Sequence, residues 1–568
     1  MRISRVRLRN YRAYESLDLD LNPGMNVIVG ENNVGKSSLM QAVQLVMSLP
    51  TGNQLSRDYW PDGSPKGPLS ILVELVLTGG ELEKISAGLP NPQRSALRDH
   101  LLLSSICQSP FQAMETKVEF IDHTTGMPSA RFRPNLGGYT TDPDGATVIG
   151  AAIGPTYPQV QKTLIEGALH FPEFRQRPAS GEMGDEENPR SPEGTRLAAV
   201  LFRLKNGPLI DRTIFERIQH SFHSIFSKLE LQVIKRGNQP IIVIKRSETN
   251  HELPLAELGG GILEMLLVLT HVVDQQDKIF TIDEPEAHLH PHSQRVLANE
   301  LQTSSSKNQF LVITHSPQFV DFKNLNSILL VRENSGRSNI VKLPTGYLSK
   351  DEEVKASKIV WSEDKEFLFS RRVLLVEGET EYAAMPILAK RLGKSFDENG
   401  VSVVTVGGRH FGLFIKILKG FKFPFRVMCD ADLLMKIDGS VGSGISETRA
   451  SSLFETASQL GQLGEKELEL LWNCQDHFVT RTNKKGVKID YYDDELFDEL
   501  KSVARKMGFD VLSPDFEGYL KMKGFEQILR EADALYGNNK ILTGRFVATT
   551  IQTVPKELAS IISEVVSL

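Results

Sequence analysis

Apolar residues fall along this chain in short strand-like runs, most of them closed by a polar turn and followed by a helical period. Ile3, Val6 and Leu8 predict a first strand, and Leu17, Leu19 and Leu21, alternating with Asp18 and Asp20, predict a second. Residues 26–29 predict a third, with a turn and a helical pattern from Ser38 to about Val46 directly after it. Residues 69–77 and 116–121 are further β-prone runs, and 195–204 and 212–229 carry helical apolar faces. A helix over 262–274 precedes two more strands, 278–282 and 310–314, and apolar runs follow at 328–331 and 340–343. A polar, charged helical connector, about 349–369, then interrupts the pattern. It restarts as strand 372–376, a helix to about Leu392, strand 401–406, helix 411–421 and strand 426–429. Strands alternating with helices predict an α/β protein with parallel sheets. The expected division is a first domain over 1–345, a linker over 346–370 and a second, Rossmann-like domain over 371–568. Within the first, about 155–230 reads as a helical insertion, either a dimerisation element or a helical cap on the same core.

Composition narrows the class. A chain of 568 residues is too long for one core, and 40% hydrophobic with 24% charged residues is ordinary for a soluble globular protein. The net charge of -6 argues against a uniformly basic nucleic-acid coat and leaves room for a local basic groove. Cys107, Cys429 and Cys474 form no C-x-x-C pair, so neither a zinc knuckle nor a disulfide framework is supported. The first residues carry no apolar signal segment, and the most apolar run, 261–273, holds Glu264 and His271 and is too short to span a bilayer. A cytoplasmic location without a membrane partner is the expectation.

The chemistry begins at Gly30-Glu31-Asn32-Asn33-Val34-Gly35-Lys36-Ser37-Ser38, between a strand and a helix. That context is what a phosphate-binding loop needs, because the glycines let successive N–H groups curl toward phosphate and the helix adds its positive end. Lys36 can reach the β- and γ-phosphates, and the Ser37 hydroxyl can ligate Mg²⁺. Arg12, just after the first strand, is either a solvated strand end or a phosphate contact beside this loop. Downstream, 258–261 is Leu-Gly-Gly-Gly, and the strand 278–282 runs into Asp283-Glu284-Pro285-Glu286. An apolar strand ending in Asp-Glu suits Mg²⁺ held through Asp283 and an attacking water oriented or deprotonated by Glu284. The next strand delivers His315, placed to sense the γ-phosphate.

These stretches, with His288, His290-Pro291 and Thr314-His315-Ser316, resemble the signature, Walker B, D-loop and H-loop elements of ABC-type ATPases of the SMC/RecF/Rad50 group. The resemblance implies an ATP–Mg²⁺ site built from Arg12, Asn32, Asn33, Gly35, Lys36, Ser37, Ser38, Asp283, Glu284 and His315. It also implies that Gly260 of a second head closes on the nucleotide, and hence a homodimer. Gly259 stands where the signature usually has Ser, which removes one hydroxyl contact to the γ-phosphate and puts fast turnover in doubt. No Q-loop glutamine is assigned.

In the second half, strand 372–376 ends in Glu377-Gly378-Glu379-Thr380-Glu381, and strand 426–429 ends in Asp430-Ala431-Asp432. Carboxylates at the C-terminal ends of parallel strands lie where such sheets place active sites. Crowded like charges call for cations between them, and hard oxygen donors suit Mg²⁺ or Mn²⁺. The order Glu-x-x-x-Glu, then Asp-x-Asp, resembles the Toprim domain. An ABC-type ATPase followed by a Toprim domain is the arrangement of the OLD (overcoming lysogenization defect) family of nucleases.

The OLD resemblance implies further positions: Glu517, or Asp515 as the alternative, as a late metal ligand, and Lys540 as the residue that neutralises charge on the scissile phosphate. It implies two ions held by Glu377, Glu381, Asp430, Asp432 and Glu517, and in-line attack of water on DNA phosphate. Also implied are DNA as substrate, a homodimer or dimer of dimers, a companion defence protein of helicase-like or other type, and a role in antiphage defence. The basic turn at 481–485 reads equally as a DNA-backbone contact or a solvated loop. Two alternatives stay open: an SMC/RecF-like DNA-binding ATPase with a non-catalytic Toprim domain, and an effector silent without its partner.

Overall fold

The computed structural model describes residues 1–48, 54–87, 89, 91–112, 114–122, 124–133, 139–141, 146–150, 156–172, 197–237, 239–249, 251–253, 260–360, 364–406, 411–430, 436–437, 479–482, 488–491, 494–506, 508–512 and 515–568. It divides into two compact units, Met1–Lys342 and Leu343–Leu568. No described helix is long and apolar enough to cross a membrane.

In the first unit the strand Met25–Val29 is buried at every position, as a strand with both faces covered must be. It lies between Gln309–Ile313 and Ile328–Asn334, parallel to both. The sheet continues through Ile279–Asp283 to Ala168–Phe171, also parallel, and ends on its other side at Arg337–Val341, which is antiparallel. The strand Ala168–Phe171 falls inside the stretch expected to be a helical insertion. Four residues are too few to show a strand period beside the helix Thr156–Gly167. The rest of that stretch supplies the helices Leu197–Asn206 and Leu209–Ile225.

A second sheet carries Arg2–Tyr11, antiparallel to both Tyr14–Asp20 and Leu69–Val76. Leu69–Val76 alternates buried and half-buried positions, the signature of a strand with one face on the core. The two sheets are clamped by the Gln309 side chain. Its carbonyl oxygen accepts from the Ile3 amide at 2.6 Å, and its amide donates to the Ile3 carbonyl at 2.7 Å. One core then runs from Ile3, Val6 and Leu8 through Ile28, Leu39 and Val43 to Leu311 and Leu329.

The second unit is a parallel sheet in the order Val401–Thr405, Arg372–Val376, Phe425–Asp430, Phe509–Leu512. The connector contributes the capped helix Lys350–Ile359, and Lys416 Nζ bonds both Glu352 carboxylate oxygens at 2.9 Å, so this stretch packs within the unit. The helix Glu379–Arg391 follows the Arg372–Val376 strand, and the helix Lys540–Thr550 packs on it through Gly544. A Cβ at Gly544 would sit far inside contact distance of the Thr380 carbonyl oxygen. Gly544→Ala gains about 1 kcal/mol of helix propensity against about 1–3 kcal/mol of overpacking against backbone. The expected net result is a protein destabilised by about 1 kcal/mol, read by urea denaturation.

Candidate functional site

In the first unit the C-terminal ends of Met25–Val29, Ile279–Asp283 and Gln309–Ile313 meet, because the register aligns Ile313 with both Ile28 and Asp283. The loop after Met25–Val29 turns through Asn33 at φ 63° and Gly35 at φ 98°, left-handed conformations that curl the backbone. The Gly35 turn is gripped from outside: Tyr14 Oη donates to the Gly35 carbonyl at 3.0 Å, and Ser338 Oγ to that of Val34 at 2.6 Å. Asn32, Asn33 and Ser37 are exposed, Ser38 is half-buried, and Lys36 opens the helix Lys36–Met47. Buried Lys36 donates through Nζ to the carbonyls of Gly30 at 3.0 Å and Glu31 at 2.5 Å. Burial pushes its ammonium down to about 8, against the opposing pull of Glu284 and Asp283. An ammonium held so close to its loop, in that acidic field, fits a nucleotide phosphate with its cation.

Arg12 lies beside this loop, bonded to Gln41 of the Lys36–Met47 helix, with its guanidinium 4.6 Å from the centre of the Tyr59 ring. Glu284 adopts φ 46° and faces His315, whose Nε2 lies 3.8 Å from the carboxylate. Glu286, whose role the Asp283-Glu284-Pro285-Glu286 motif leaves open, accepts from the His315 backbone amide at 2.6 Å. Burial raises its carboxyl, and that hydrogen bond pulls it back. Gly260 opens the helix Gly260–Asp274, and a Cβ on the next residue, Gly261, would lie 2.6 Å from the His288 carbonyl oxygen. Glu264 of the same helix approaches His288 Nδ1 at 3.5 Å. Gly259 lies outside the described residues.

In the second unit the Val376–Met428 and Asp430–Leu512 pairings bring three strand ends together. Glu377 Oε2 accepts from the Asp430 backbone amide at 3.1 Å, fixing these two carboxylate residues side by side. One turn on, Glu381 is 6% exposed, close enough for its charge to feel Glu517, Glu377 and Lys540. Glu517 Oε1 accepts from Thr380 Oγ1 at 2.9 Å. Asp515 instead caps its own helix, Oδ1 accepting from the Gly518 amide at 2.5 Å, so of the two late acids Glu517 is the one tied to the Glu379–Arg391 helix. Lys540 is exposed at the first turn of Lys540–Thr550. Asp432, the 483–485 part of the basic turn and Ser513-Pro514 lie outside the described residues. Among the described residues no three His, Cys, Asp or Glu side chains gather closely enough to hold one ion together. The donors that do converge are carboxylate oxygens, a set suited to Mg²⁺ or Mn²⁺.

Burial first, and then the charges of Glu517 and Glu377, push Glu381 from 4.5 up to about 7. A carboxyl that holds its proton more tightly when folded stabilises fully below its unfolded value and loses that contribution as pH rises through its folded value. At about 1.4 kcal/mol per pH unit, the metal-free protein is expected to lose about 3 kcal/mol as pH rises from about 4.5 past about 7. The Glu381→Gln protein should lack this loss, as urea melts across a pH series would read.

Residues 368–432 match the family described as overcoming lysogenization defect protein-like, TOPRIM domain. Residues 1–61 and 204–320 match the AAA ATPase domain family. An OLD nuclease of Thermus scotoductus is 25% identical over 460 residues, spanning 76% of this chain and 82% of its own. The Old nuclease of Escherichia phage P2 is 22% identical over 539 residues, 86% of this chain and 87% of that one. Endonuclease GajA of Bacillus cereus is 23% identical over 468 residues, 77% and 76% of the two chains. An SMC head domain from Thermotoga maritima overlays 61% of this chain and all of its own at TM-score 0.33 and 14% identity, a likeness that adds nothing to the sequence matches. The chain thus joins an AAA ATPase domain to an OLD-like TOPRIM domain, in an α/β fold, and is similar along most of its length to OLD nucleases.

Proposed function

We propose that this protein is a divalent-metal-dependent DNA endonuclease whose cutting is regulated by ATP. The observation that supports the reading is the approach of these carboxylates in pairs beyond the strand ends of one parallel sheet: Glu377 accepts from the Asp430 amide, and Glu381 feels the charges of Glu517 and Glu377. Bound there, Mg²⁺ or Mn²⁺ would supply an acidified water and screen the charge of the DNA phosphate. In this reading Glu377, Glu381, Asp430, Asp432 and Glu517 would share two such ions between them. Lys540, at the helix N-terminus opposite Glu381, offers positive charge to the scissile phosphate as negative charge builds there. Water is the nucleophile, so no side chain needs to be acylated or phosphorylated.

Lys36, Ser37, Ser38, Asn32, Asn33, Gly35 and Arg12 hold ATP with Mg²⁺, Asp283 takes the ion, Glu284 orients water and His315 reads the γ-phosphate. Gly260 of a second copy closes the site, which makes the working protein a homodimer or a dimer of dimers. We extend the reading to a cytoplasmic role in antiphage defence with a companion protein.

The test is cleavage of supercoiled plasmid with Mg²⁺ or Mn²⁺ across a range of ATP concentrations, comparing wild type with Lys36→Ala. Loss of an ATP-dependent change in the variant is the expected result. Identical cutting by both proteins at every ATP concentration would defeat the regulatory part. Wild-type protein that is inert under every condition while hydrolysing ATP would defeat the reading as an autonomous nuclease.

A further inference from the structure

We propose that Thr380 is a positioning residue that sets Glu517 for metal binding, an inference that rests on the nuclease reading above. Thr380 sits between Glu379 and Glu381 on the helix that follows Glu377, and is 1% exposed. A threonine hydroxyl in a helix can be satisfied by a carbonyl one turn back. This one reaches instead to Glu517 Oε1 at 2.9 Å, across 137 residues of sequence. Glu517 stands in the first turn of the short helix Phe516–Leu520, where a half-buried glutamate has several rotamers open to it. The hydroxyl selects one of them. It donates to one carboxylate oxygen and leaves the other for a cation, the arrangement by which outer groups orient ligands.

The same residue fixes the neighbouring element. The backbone of Gly544 passes so close to the Thr380 carbonyl that no side chain fits between them, and Gly544 lies one turn beyond Lys540 on its helix. Thr380 therefore sets the carboxylate through its side chain and seats the lysine-bearing helix through its carbonyl. Substituting the side chain separates these roles, because the carbonyl stays in place.

The experiment measures Mn²⁺ binding to the full chain from the loss of the free Mn²⁺ EPR signal, for wild type, Thr380→Val, Thr380→Ser and Glu517→Gln. Valine keeps the shape and loses the donor, whereas serine keeps the donor. Thr380→Val is expected to weaken the Glu517-dependent Mn²⁺ site about tenfold, with Thr380→Ser binding as wild type. The Mn²⁺ concentration that half-saturates plasmid cleavage should rise by a similar factor. In a Glu517→Gln background, Thr380→Val should add no further weakening, since the hydroxyl acts only through that carboxylate. Urea melts of each variant separate a folding defect from loss of the donor, and Thr380→Ser reports on the donor independently of the valine variant. Wild-type binding by Thr380→Val, with the site lost in Glu517→Gln, would overturn the positioning role alone. Unchanged binding by Glu517→Gln would overturn the assignment of Glu517 and the role of Thr380 with it.

Discussion

Replacing Glu377 with alanine is expected to lower plasmid cleavage by at least about 100-fold, with ATP hydrolysis by the first unit retained. Glu377 is the hub of the carboxylate group. It leaves the end of the Arg372–Val376 strand, accepts from the Asp430 amide, and is one of the charges felt by Glu381. Its removal takes away one candidate ligand and releases the backbone that aims a second, so the loss should exceed that of an outer contact. Glu377→Gln separates the two effects, because its amide oxygen still accepts from Asp430 while its charge is gone. If both variants cut like wild type, the TOPRIM unit does not cut DNA through these carboxylates.

Asp510→Ala is expected to destabilise the second unit by about 3 kcal/mol, measured by urea denaturation. Asp510 and Arg426 form a two-pronged pair, with Nε to Oδ2 at 2.7 Å and Nη2 to Oδ1 at 2.9 Å, between the adjacent strands Phe509–Leu512 and Phe425–Asp430. Their side chains are 4% and 10% exposed, so removing the carboxylate strands a guanidinium that water cannot fully reach. Glu564 still pairs with Arg426 at 2.8 Å, which holds the cost toward the lower end of the range. The two-pronged pair of Arg5 with Asp18, 40% and 52% exposed, is expected to be worth well under about 1 kcal/mol despite equally short bonds. A loss at Asp510 no greater than at Asp18 would show that the buried network is not what holds these strands.

The parts of both sites that could be read from sequence were those whose chemistry is local. The phosphate loop, the Asp283-Glu284 strand end, and Glu377 and Asp430 each follow an apolar strand and declare themselves by strand–turn–helix context. Contacts between distant residues could not be read. Glu286 holds the His315 amide across 29 residues, and Thr380 holds Glu517 across 137, and no periodicity relates such pairs. The strand Ala168–Phe171 was hidden by its shortness; its parallel partner Ile279–Asp283, rather than its own pattern, makes it a strand. The helix-capping bond that distinguishes Asp515 from Glu517 depends on the local turn and was equally out of reach.

The placement of Met25–Val29 has a consequence for biosynthesis. Every residue of this strand is buried, yet its sheet neighbours begin at Gln309 and Ile328. At about 5–20 residues per second, roughly 15–60 s of translation separates its emergence from that of its first partner. Through that interval Arg2–Tyr11 can pair with Tyr14–Asp20 and then Leu69–Val76, but the apolar strand that ends in the phosphate loop has no sheet to join. Such long-range closure slows folding and prolongs exposure of a sticky segment. The nascent chain is therefore expected to depend on chaperone cover until about residue 334, and ribosome-stalled chains ending before that strand should fail to retain ATP.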